Sequence, residues 1–149
     1  MEKPVIISIR GVQTTAPGEE DVMELVTQGT LANSGEDELT LSYRESELTG
    51  LEGTVTTFRI GKDRITLKRE GALNSEMVFQ EGQEHVSLYE TPYGGLTLGV
   101  KTRKARSDLS PTGGDLEIRY DLAVDDEPIG ENSFYIQVRE PADSAVQLM

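Results

Sequence analysis

Apolar and polar residues alternate along most of this chain with the period of a β-strand. The clearest run is Leu116, Ile118, Tyr120, Leu122 and Val124, interleaved with Glu117, Arg119, Asp121 and Ala123. Successive side chains of a strand point to opposite faces, so this run predicts a strand with one oily and one wet side. Phe134, Ile136 and Val138 repeat the pattern. So do Val5, Ile7 and Ile9; Leu39, Leu41 and Tyr43; Ile65 and Leu67; and Leu96, Leu98 and Val100. A sheet that is wet on one side is antiparallel. Turn residues punctuate these runs at short intervals, among them Asn33-Ser34-Gly35, Gly61-Lys62-Asp63, Pro111 to Gly114 and Pro128 to Gly130. Thr91-Pro92-Tyr93-Gly94 is the best-defined turn. Proline presets φ at its second position, glycine takes up the positive φ needed to re-enter a strand, and Gly95 leaves room for a bulge.

About ten strand-like runs joined by short connections predict a meander in which sequence neighbours are sheet neighbours. An open meander exposes two edges, and closing it removes them. The expected fold is therefore all-β, a single antiparallel barrel of about 8–10 strands. Glu19 to Val26 disagrees locally. Val22, Leu25 and Val26 sit at helical spacing, whereas a strand would put Met23, Leu25 and Leu31 on one side. Consistency with the rest of the chain tips this segment to strand. Residues 141–149 carry no pattern and read as a flexible tail after a barrel domain over 1–140.

Composition narrows the choice of function. A chain of 149 residues is of single-domain size and needs no covalent staples. It has no cysteine, which excludes disulfides and thiolate zinc sites and suits a reducing compartment. The apolar run before Arg10 is too short for a signal-peptide core or a membrane span, so a cytoplasmic protein is expected. A formal charge of −13 repels nucleic acid and anionic membranes at long range.

Leu41-Ser-Tyr43-Arg-Glu45, Leu67-Lys-Arg69-Glu-Gly71, Tyr89-Glu-Thr91-Pro-Tyr93-Gly94 and Val100-Lys-Thr102 together resemble the YwiB-like family of uncharacterised bacterial proteins. Gly114 to Tyr120 and Asn132 to Val138 extend that resemblance over nearly the whole chain. It implies a calycin, lipocalin-like β-barrel in a cytoplasmic bacterial protein, and it supplies no catalytic residues. Lipocalins carry a Gly-x-Trp motif, and this chain has no tryptophan.

Several chemistries lack their residues. One histidine and no cysteine do not make a usual zinc site, and no Walker loop, dinucleotide fingerprint or Gly-x-Ser-x-Gly elbow occurs. Asp125-Asp126-Glu127-Pro128 lacks the oxygen spacing of a calcium loop. His85 stands at the start of a strand with no nucleophile beside it, and reads as structural. Arg59, Lys62, Arg64, Lys68 and Arg69, with Lys101, Arg103, Lys104 and Arg106, are split between faces and strands and have few aromatic neighbours. They do not make a nucleic-acid surface. No enzyme, metal or cofactor is expected.

Parity gives the sharpest expectation. Leu39, Leu41 and Tyr43 face inward, so Glu45 and Glu47 inherit that direction, as Arg69 does from Ile65 and Leu67. Strand direction then gathers Tyr43, Glu45, Arg69, Thr91 and Tyr93 at one mouth, either as a plain Glu45–Arg69 ion pair at a solvated rim or as a polar gate over an apolar interior. His85, Lys104 and Arg106 fall at the other. The expected function is a non-enzymatic barrel that binds a small apolar or amphiphilic molecule at this mouth. The alternative is a protein-interaction module with a packed interior, for which outward Tyr135 and Val78 are the sequence hints.

Overall fold

A computed structural model describes residues 2–16, 18–35, 38–45, 52–71, 74–91 and 94–141. The regular elements are all strands: β1 (Glu2–Ala16), β2 (Glu19–Gly35), β3 (Glu38–Arg44), β4 (Thr54–Ile60), β5 (Ile65–Gly71), β6 (Ser75–Phe79), β7 (Glu84–Thr91), β8 (Gly94–Ser107), β9 (Gly114–Val124) and β10 (Glu127–Arg139). They form one antiparallel sheet in the order β6-β5-β4-β3-β2-β1-β10-β9-β8-β7. The first and last strands pair from Ile6↔Arg139 to Thr14↔Glu131, which bends the meander back on itself.

The sheet ends at β6 and β7, which share no ladder among the described residues. The turn between them is fastened to β8 instead. Gly82 N–H donates to the Thr102 carbonyl and Thr102 N–H to the Gln83 carbonyl, both at 3.0 Å. Gln80 N–H donates to the Thr102 hydroxyl at 3.2 Å. The barrel is thus nearly closed, with the seam held by a turn where a ladder is missing.

The alternating runs sort as the pattern requires. Ile7, Leu41, Leu67, Phe79, Leu116, Ile118 and Ile136 are essentially inaccessible to solvent, and their polar neighbours face out. Tyr120 sits centrally, its ring 4.8 Å from Phe79 and 6.2 Å from Phe134. The segment Glu19–Val26 is strand. Its Leu25 lies opposite Ile9 and packs against the core, and Met23 lies opposite Gly11 near the strand end and is itself 40% exposed. The full ladder with β1 overrides the helical spacing of Val22 and Val26, which are also exposed. Residues 142–149 of the expected tail lie outside the described residues.

One parity expectation fails. Thr102 pairs with Tyr120, but the next pair is Lys104↔Arg119, so Arg103 is the extra residue of a β-bulge. The bulge exchanges the faces of everything after it. Ala105 and Ser107 now pair with the inward Ile118 and Leu116, and Lys104 and Arg106 turn outward. There Lys104 meets Glu117 at 3.0 Å and Arg106 meets Glu81 at 3.3 Å. A continuous strand would have buried both cations.

Candidate functional site

Strand β4 sets the polarity of the barrel interior. Its inward residues run Ile60, Phe58, Thr56, Thr54 from one end to the other, and all four are buried. The oily half grades into a polar one at the end where β3 stops and β4 begins. The chain continues past β3 to Glu45, whose N–H donates to the Thr54 carbonyl at 2.8 Å. That bond extends the ladder by one residue and holds the Glu45 side chain inward, with only 1% of it exposed. Opposite it, Arg69 on β5 follows Ile65 and Leu67 on the same face, and its side chain is 20% exposed.

Arg69 Nε lies 3.9 Å from Glu45 Oε2, close enough for charge attraction and too long for a hydrogen bond. The Thr56 hydroxyl donates to the same carboxylate oxygen. The Tyr43 hydroxyl completes the cluster. Burial is the main cause that raises its pKa, the adjacent Glu45 carboxylate adds to this, and the Arg69 charge works against it. Burial likewise pushes the Tyr120 hydroxyl up to about 12, again opposed by Arg69. The guanidinium is therefore the one positive charge felt by both tyrosines.

A cavity of about 340 Å³ opens over this cluster. Ile9, Met23, Phe58 and Phe134 supply apolar walls, and Tyr43, Glu45, Arg69 and Asn132 supply polar groups. Gly11 makes part of the space. A Cβ there would lie 3.6 Å from Phe134 and 3.7 Å from Met23, so a side chain would grow into the cavity without a clash. Among the described residues, three polar atoms of lining side chains are buried with no hydrogen-bond partner: Glu45 Oε1, Arg69 Nε and Asn132 Nδ2. Each such orphan costs about 1–3 kcal/mol when nothing satisfies it.

A larger space of about 710 Å³ lies at the opposite end, bounded by the Gly61–Ile65 turn and Ser107–Pro111. Lys62, Asp63 and Arg64 on its rim are exposed, and none of the partnerless buried atoms belongs to it. Leu39, Ile60 and Ile65 at the ends of β3, β4 and β5 also line it, so it is the other mouth of the barrel. At that same end His85 Nε2 lies 3.2 Å from Gln80 Oε1 on the flank of the β6–β7 turn.

Of the residues expected at the mouth, Tyr43, Glu45 and Arg69 come together as parity requires. Thr91 ends β7 at the same end of the barrel, but its side chain, Glu47 and all of Tyr93 lie outside the described residues. Sequence reasoning missed Thr56, Phe58, Gly11, Met23 and Asn132. The same counting would have found Asn132, two residues before inward Phe134, and Thr56, two before Phe58.

Residues 7–136 match the sequence model of a family described as a domain of unknown function, DUF1934. The chain is 27% identical over 126 residues to the uncharacterized beta-barrel protein YwiB of Bacillus subtilis strain 168, covering 85% of this chain and 86% of that one. The crystal structure of the B. subtilis YwiB protein superimposes with a TM-score of 0.81 at 22% identity, over 95% of this chain and 94% of that one. At that identity the likeness speaks for the fold: an all-β barrel of the same build.

Proposed function

The chain belongs to the DUF1934 family, a domain of unknown function, so its role rests on its own residues, and we propose that it is a non-enzymatic barrel that holds one small amphiphilic molecule at the Glu45–Arg69 mouth. The observation that carries this reading is the cavity of about 340 Å³ lined by apolar walls and by Glu45, Arg69 and Asn132, each of which also has a covered polar atom without a partner among the described residues. Its volume falls at the lower end of the range for small-molecule sites, roughly 300–1,000 Å³. Its lining has the usual composition of such sites, apolar walls with a few convergent polar groups. On this reading the barrel works in the lipocalin-like manner, and the chain acts in the cytoplasm.

Among the described residues no cluster of metal-binding side chains accompanies the cavity, and the Thr56 hydroxyl that donates to Glu45 is buried below it. The holding reading rests on the lining and not on a missing catalytic group. Nucleic acid is a poor partner for this surface. Arg59, Arg103, Lys104 and Arg106 each have a carboxylate within 3.3 Å, and the chain as a whole is strongly acidic.

A second reading, a protein-interaction module, draws support from Val86 and Leu88, 66% and 62% exposed on the edge strand β7. Tyr135, one of its sequence hints, is instead engaged on the outer face by Arg119 at 2.8 Å.

Native mass spectrometry of freshly purified protein separates the two readings. A co-purifying small mass that disappears in Gly11→Leu, a variant expected to stay folded while filling the cavity, supports the ligand barrel. A dimer of ligand-free mass that Gly11→Leu leaves unchanged supports the interaction module.

A further inference from the structure

The charge pair beneath the cavity restricts what kind of head group it can receive. Glu45 is an ionisable side chain 99% withdrawn from solvent, and it has one counter-charge, Arg69, at 3.9 Å. The pair is neutral as a unit. An ionised carboxylate or phosphate on a ligand would compete for the same guanidinium. Capturing it would leave two anions facing each other in a site of low dielectric. An ammonium head would meet Arg69 itself. Each ionised head removes as much favourable charge contact as it brings.

Hydrogen bonding points the same way. Glu45 Oε1 needs a donor, and Arg69 Nε and Asn132 Nδ2 need acceptors. These atoms are covered, so a head group reaches them only if a side chain moves, and its admission requires that of Arg69, the more exposed member of the charge pair. A group that donates and accepts at once can answer both kinds of orphan. A hydrocarbon answers neither, and it would leave the floor as unsatisfied as before.

Resting on the ligand-barrel reading above, we infer that the site takes neutral amphiphiles whose head carries both a donor and an acceptor, such as a primary amide or an alcohol, on a short apolar body. The body lies against Ile9, Met23, Phe58 and Phe134. This is a head-group preference opposite to that of a carrier for ionised fatty acids.

The test is calorimetric titration of the full chain at pH 7 with five probes that share one eight-carbon tail: octanamide, 1-octanol, octanoate, octylammonium and octane. Octanamide should bind tightest, with both ions at least tenfold weaker. In Glu45→Gln the guanidinium loses its partner, so octanoate should gain at least tenfold relative to octanamide. The wild-type series stands without that variant should it fold poorly. Octanoate or octylammonium equal to or tighter than octanamide in the wild type overturns the head-group assignment and leaves the ligand barrel standing. So does an octanoate-to-octanamide affinity ratio that is unchanged in a folded Glu45→Gln. Failure of all five probes to bind overturns both.

Discussion

Removing Arg69 should damage this protein more than removing its acidic partner. The two members of the pair differ in their access to water, the Glu45 side chain being 1% exposed and that of Arg69 20%. Arg69→Met leaves a carboxylate in the barrel with hydroxyls, Thr56 and Tyr43, and no positive charge beside it. Breaking a buried pair in this way costs about 3–5 kcal/mol. The 3.9 Å separation and the partial exposure of the arginine place this case at the low end, about 3 kcal/mol. Glu45→Gln keeps the shape and an oxygen for Thr56, and it frees a guanidinium that can turn toward solvent, so about 1 kcal/mol is expected. The double variant has neither charge to strand and should cost about 2 kcal/mol, a coupling of about 2 kcal/mol. Urea unfolding followed by far-ultraviolet circular dichroism gives the four stabilities, with unchanged m-values as the check that all four share one native state. Equal costs for the two single variants, or additive costs in the double, would refute the reasoning, because the loss of stability would then not come from a stranded buried charge.

Alkaline pH should loosen the fold in a defined window. Tyr120, held up at about 12, and Tyr43, raised in the same direction, keep protons in the native state that unfolded tyrosines release near ~10. Stability is complete below about pH 10 and falls as pH climbs to about 12, by about 3 kcal/mol from Tyr120 alone. Chemical denaturation between pH 9 and 12 measures the slope, and Tyr120→Phe should flatten it. Gly29→Ala should cost about 3 kcal/mol in the same urea assay, since its Cβ would sit 2.5 Å from the Ser42 carbonyl oxygen and press on Ile7. A midpoint equal to the wild type would show that β2 and β3 can separate there. Deleting Arg103 removes the bulge and returns Lys104 and Arg106 to the inner face, so the variant should be insoluble or lack the native dichroism spectrum. Arg103→Ala, which keeps the extra residue, should unfold at nearly the wild-type urea midpoint, and a folded deletion variant would contradict the parity account.

The order of residues alone determined that this chain is a run of alternating strands. It also placed Tyr43, Glu45 and Arg69 on one inner face at one end. Both follow from the period of two, a property of the strand backbone that holds wherever pairing is regular. Leu116 to Tyr120 needed no neighbour to declare their direction. The tertiary structure decided what a local period cannot carry. The bulge at Arg103 exchanged the faces of Lys104 and Arg106, because one unpaired residue is invisible until a partner strand is laid beside it. Residues 19–26 became strand because β1 offered a full ladder to them. The gap between β6 and β7 came from the geometry of the whole sheet, and the cavity from side chains on six strands meeting around the glycine at position 11. Direction along a strand is a local matter. Empty space and missing hydrogen bonds are properties of the assembled barrel, since each depends on every strand that could have filled or satisfied it and did not.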